Sequence, residues 1–125
     1  MRLKSSSILL YFAICISWLL ILLYFSPANA TIKIAVIDTG YTPSTNLRLC
    51  DGAKDFTKDG TPIDKKGHGT SVIRTLTYQL PLVLDYCILP IKIITNNFNT
   101  DGTTSAAAIH YAISQKVDII NTSYT

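Results

Sequence analysis

Ile34-Ala35-Val36-Ile37-Asp38-Thr39-Gly40 is the stretch from which the fold is read. Four apolar residues in a row, rich in β-branched side chains, predict a strand buried on both faces. That strand ends on a carboxylate, Asp38. Gly40 follows, a residue that lets the backbone turn through conformations closed to others. Open α/β sheets hold their chemistry at the carboxyl ends of parallel strands, which is where Asp38 would lie. The plainer alternative is an Asp that caps a turn.

Outward from this stretch, Thr31 to Asp38 forms the first predicted strand, and Thr39 to Asn46 a turn-rich loop with Gly40 and Pro43. Leu47 to Cys50 reads as a short second strand. Asp51 to Gly67, with three glycines and eight of the charged residues, reads as loop. After Gly67-His68-Gly69-Thr70, the residues Val72, Ile73 and Leu76 mark one face of a helix over Ser71 to Tyr78. Pro81 and Pro90 bracket an apolar stretch, and Ile91 to Ile94 reads as a third buried strand. A polar loop from Thr95 to Gly102 leads to a helix capped by Thr103, Thr104 or Ser105. Ala106, Ile109, Ile113 and Val117 supply its apolar stripe. Val117 to Thr122 is the fourth strand. Strands alternating with helices predict an α/β fold, a three-layer parallel β-sheet with flanking helices. Its last strand would leave apolar surface and an open edge, so the fold is expected to be truncated, half of a larger unit.

The 125 residues carry a formal charge of +3, and their apolar excess lies at the N-terminus. Arg2 and Lys4 precede a charge-free run from Ile8 to Phe25, and Ala28-Asn29-Ala30 follows. This is the pattern of a signal peptide over residues 1–30, cut after Ala30, and hence of a secreted or periplasmic protein. The alternative is a membrane anchor over residues 8–25. Cleavage would leave nine basic and eight acidic residues, a net charge of +1 on one small domain over 31–125. No basic patch interleaved with aromatics argues for nucleic acid. Cys50 and Cys87 remain after cleavage, as a disulfide or as two buried thiols. No Cys/His cluster suggests zinc, and no metal or cofactor is expected.

Three segments, in this order, resemble the subtilisin-like serine proteases (subtilases, peptidase S8). Ile34 to Gly40 is similar to the motif around that family's catalytic Asp, and Gly67-His68-Gly69-Thr70 to the motif around its catalytic His. Asp101-Gly102 through Val117-Asp118-Ile119-Ile120-Asn121-Thr122-Ser123 resembles its substrate-lining turn, helix and strand. The resemblance implies a partial, subtilisin-like catalytic domain of a secreted serine endopeptidase. In that chemistry His68 is the general base, and Asp38 holds its ring in one tautomer and stabilises the cation it becomes. Ser123 and Tyr124 would bind a peptide or protein substrate by strand addition, with Gly102 and Thr103 on the opposite rim. The family's nucleophilic Ser, in a Gly-Thr-Ser-Met-like motif, does not occur up to Thr125, nor does its oxyanion Asn. Activity is therefore expected to need the missing C-terminal half. Ile73 and Arg74 stand where the family favours small residues, and the calcium loop of its His-bearing helix is not evident. Family topology sets the second and third strands side by side, which would bring Cys50 and Cys87 together.

Other readings compete. A non-catalytic subtilase remnant could bind peptides or a partner through its open edge. Asp-Thr-Gly after an apolar run also resembles an aspartic protease loop, a class that needs an all-β chain. His110 lies off the apolar stripe and is expected at the surface. Asn121-Thr122-Ser123 matches a glycosylation sequon at the end of a strand.

Overall fold

The computed structural model describes residues 16–17, 31–44, 46–80, 84–97 and 99–123. The predicted signal peptide, its alternative anchor and Tyr124 lie outside the described residues, residues 16–17 excepted. In chain order the elements are strand β1 (Ile32–Asp38), strand β2 (Lys54–Asp55), helix α1 (His68–Gln79), strand β3 (Tyr86–Lys92), helix α2 (Gly102–Ser114) and strand β4 (Ile119–Thr122). The strands form one parallel sheet in the order β2-β3-β1-β4. Two helices on a parallel sheet set aside the all-β architecture of an aspartic protease.

β1 is central because both of its faces are apolar. Ile34 and Val36 point to one side and pack with Ile88 and with Ile73 of α1. Ala35 and Ile37 point to the other and pack with Leu89, Ile91 and the α2 residues Ala108 and Ala112. Each fully buried Ile or Leu in these layers contributes roughly 1.5–3 kcal/mol. α1 and α2 therefore cover opposite faces of the sheet. The strands flanking β1 on either side are reached over opposite faces, and Asp38 ends the strand between them.

The structure corrects several boundaries. The second strand is not Leu47 to Cys50, where only Leu49 bridges to Ile88. It is Lys54–Asp55, inside the stretch read as loop; two polar residues carry no alternation by which a strand could be recognised. The third strand begins at Tyr86 and runs through Pro90 to Lys92, rather than starting at Ile91. Ile88 directs its N–H to Arg48 and its C=O to Cys50, so Pro90, two residues on, faces the same outer edge. Pairing along that edge is interrupted between Cys50 and Lys54, so the donor that proline lacks falls in the gap.

α2 starts earlier than expected because Asp101 caps it, accepting from the Thr104 N–H at 2.6 Å. Its expected apolar stripe is also corrected. Ala108 and Ala112 are buried, letting the helix lie close to the sheet, while Ile109 and Ile113 are 37% and 59% exposed. Ile119 and Ile120 on edge strand β4 are exposed as well, at 50% and 37%. A disulfide joins Cys50, beside the Leu49 bridge, to Cys87 of β3, with a Cα–Cα separation of 5.0 Å.

Candidate active site

β1 delivers Asp38 fully buried at its carboxyl end, and α1 opens on His68. Nδ1 of His68 lies 2.8 Å from Asp38 Oδ1. A carboxylate oxygen only accepts, so Nδ1 is the donor of this bond. The same oxygen accepts from the Thr39 N–H at 2.6 Å, and Asp38 Oδ2 is buried with no hydrogen-bond partner among the described residues. The His68 side chain is half exposed. It lines an open cavity of about 360 Å³ with Ser71, Val72, Leu76, Asn121 and Ser123.

The approach of α1 to β1 depends on Gly69. An ideal Cβ at that position would stand 2.4 Å from the carbonyl oxygen of Gly40 and 3.2 Å from Asp38 Cβ. Gly40 itself has φ +110° and faces the Pro62 carbonyl, so the two loops meet backbone to backbone.

The start of α1 has no local side-chain cap. Two of its first N–H groups are satisfied by side chains from outside the helix instead. Gly69 N–H donates to Thr39 Oγ1 at 2.9 Å, and Thr70 N–H donates to Asp64 Oδ2 at 2.9 Å. Asp64 also accepts from the Thr39 hydroxyl, the Lys66 and Gly67 N–H groups and the Thr70 hydroxyl. Burial pushes the Asp64 carboxyl up, but hydrogen bonds from the Thr70 hydroxyl and from the Thr70, Gly67 and Lys66 amides outweigh it and lower it to about 2. Because these partners come from Asp64 before the helix and from Thr39 just past β1, α1 begins at His68, three residues before the expected Ser71.

Lys92, fully buried at the end of β3, binds the same two loops. Its ammonium donates to the carbonyls of Thr39 (3.0 Å) and Ile63 (3.2 Å) and to Asn96 Oδ1, and lies 3.3 Å from Asp59 Oδ2.

Asp38, His68 and Ser123 thus lie around one site, with Ser123 on the wall of the His68 cavity. Gly102 and Thr103 form the exposed first turn of α2. The hollow beside them is lined by Phe56, Ile93, Asn99, Thr100, Asp101 and Thr104, and Gly102 and Thr103 are not among its walls. His110 is exposed on α2.

Sequence reasoning missed Thr39, Asp64, Thr70 and Lys92. Two signals pointed to Asp64 and Lys92: an Asp three residues ahead of Gly67, the spacing of a turn or cap, and a single Lys inside the apolar run Ile88 to Ile94.

A thermostable alkaline protease of Halalkalibacterium halodurans is 28% identical over 97 residues, which cover 73% of this chain and 27% of that protein. The chain therefore spans about a quarter of the length of this relative. The sequence model of the subtilase family, peptidase S8, matches residues 29–125, which include every strand and helix described above, and the chain belongs to that family.

Proposed function

We propose that this chain carries the Asp–His part of a secreted serine endopeptidase centre, and that it acts together with the remaining portion of a subtilase catalytic domain. The observation that carries the reading is the 2.8 Å contact between His68 Nδ1 and buried Asp38, on a subtilase framework. With the proton held on Nδ1, Nε2 is free to accept a proton from a serine hydroxyl as its oxygen attacks the peptide carbonyl. Asp38 stabilises the imidazolium so formed, and Nε2 then passes the proton to the leaving amine. The serine and the oxyanion donor come, on this reading, from the family's remaining polypeptide. A peptide would lie along the open edge of β4 and reach Ser123 and Tyr124 through its backbone.

Residues 1–30 serve in this account as an export signal, with an anchor over 8–25 as the alternative. The Cys50–Cys87 disulfide supports export, because such bonds persist in oxidising compartments.

The test is complementation. The chain is produced with a subtilase C-terminal portion bearing the Gly-Thr-Ser motif, and hydrolysis of a peptide amide is followed. Activity is expected only with both parts present, and is expected to vanish in His68→Ala. Equal hydrolysis by His68→Ala would contradict the assignment. Reproducible peptide binding by the chain, with no hydrolysis in any combination, would favour the non-catalytic remnant instead.

A further inference from the structure

His68 stands between two glycines, Gly67 and Gly69, the residues that hold a backbone least firmly. Gly67 has φ +88° and nothing within 4 Å of where a Cβ would stand, so no side chain of its own anchors it. Yet the His68 ring has to sit within hydrogen-bonding reach of a carboxylate 30 residues away. Both flanking N–H groups are held by one network. Gly67 N–H donates to Asp64 Oδ1 at 2.8 Å, and Gly69 N–H donates to the Thr39 hydroxyl, which in turn donates to the same Asp64 oxygen at 3.0 Å. Asp64 Oδ2 secures the next turn through the Thr70 N–H and hydroxyl. On the other side, the Thr39 N–H fixes Asp38 Oδ1, the atom that receives the ring. A single continuous set of hydrogen bonds thus runs from the acceptor of the His68 ring to the backbone on both sides of it.

We propose that Asp64 is a positioning residue for His68. Acting through Thr39 toward Asp38 and through the Gly67 and Thr70 amides toward α1, it holds the ring with Nδ1 on the carboxylate and Nε2 free. This rests on the reading of Asp38 and His68 as a catalytic pair, and adds a residue that touches neither substrate nor the reacting atoms. Asp64 suits the task chemically. An ionised carboxylate only accepts, so it can take five donors at once without offering a competing proton. It also sits where the positive end of the α1 dipole favours an anion.

The test reads the tautomer of His68 directly and needs no turnover. The 125-residue chain is labelled with ¹⁵N-histidine, and the ring nitrogen shifts are recorded by NMR where the imidazole is neutral. The His68 signals are assigned by their loss in His68→Gln. The wild-type ring is expected as the Nδ1–H tautomer, and Asp38→Asn is expected to move it toward Nε2–H, the form imidazole prefers in water. Asp64→Asn is expected to produce the same movement in a chain that still unfolds cooperatively. Should Asp64→Asn not fold, the pair Thr39→Val and Thr39→Ser decides. Val, without the hydroxyl, is expected to move the tautomer, and Ser, which keeps it, to leave the tautomer as in wild type. Folded Asp64→Asn or Thr39→Val retaining Nδ1–H would overturn the role of Asp64 while leaving the catalytic pair intact. A wild-type ring found as Nε2–H would overturn both.

Discussion

A Cβ atom placed on Gly69 would stand 2.4 Å from the carbonyl oxygen of Gly40. The helix that carries His68 and the loop that follows Asp38 are therefore in contact through bare backbone. Gly69→Ala is expected to force α1 away from β1 and to cost roughly 1–3 kcal/mol, as overpacking does. Gly102 gives the contrast, with open space where its Cβ would go. Gly102→Ala in the first turn of α2 is expected to leave stability unchanged or raise it by up to about 1 kcal/mol. Denaturant unfolding of the two variants checks this, and equal effects would contradict it.

Acid is expected to loosen the site through Asp64. Its carboxyl falls from the ordinary 3.8 to about 2 in the folded chain. A lowered folded value means that the stabilisation is complete above about pH 4 and is lost as pH drops toward 2 and below. The difference is worth on the order of 2 kcal/mol. Unfolding free energies measured at pH 6 and near pH 2 should show this loss in wild type, and a loss smaller by that amount in Asp64→Asn.

Lys92 is expected to be costly to remove. Its ammonium, itself fully buried, has two carbonyls, an amide oxygen and the partly buried Asp59 carboxylate as partners. Lys92→Met takes the ammonium away from the Thr39 and Ile63 carbonyls and from Asn96 Oδ1, while Asp59 Oδ2 keeps the Asn96 N–H, and roughly 3–5 kcal/mol of destabilisation is expected by analogy with broken buried ion pairs. A stability within 1 kcal/mol of wild type would show that the two loops hold together without it.

The Cys50–Cys87 bond closes a loop across a sequence separation of 37 that contains His68 and all of α1. Chain entropy puts its contribution at about 4 kcal/mol. Reduction, or the double change Cys50→Ser and Cys87→Ser, is expected to lower the unfolding midpoint markedly. An unchanged midpoint would contradict a structural role.

What the sequence made legible follows from how local each signal is. Ile34 to Ile37 announced a doubly buried strand because every residue in it is apolar, and Asp38 and His68 stood out because each sits inside a compact motif. The boundaries of α1 and α2 were less legible. The cap of α1 comes from Asp64 and Thr39 rather than from its own first residues, and Asp101 caps α2 ahead of the three hydroxyl residues that drew attention. Periodicity favoured Ile109 and Ile113 as core residues, whereas a helix lying close on a sheet buries its alanines. β2 is two polar residues long and gains its extended form from pairing with β3, which no local pattern reveals.

In the proposed function, Asp38 serves catalysis by orienting His68. The most direct measurement is kcat for peptide hydrolysis by the completed domain, in wild type and in Asp38→Asn. Asn can keep the shape of the contact while offering its amide N–H to the ring, which favours the wrong tautomer. A fall in kcat on the order of 10⁴-fold is expected, with KM little changed. A kcat within a factor of about three of wild type would contradict the account.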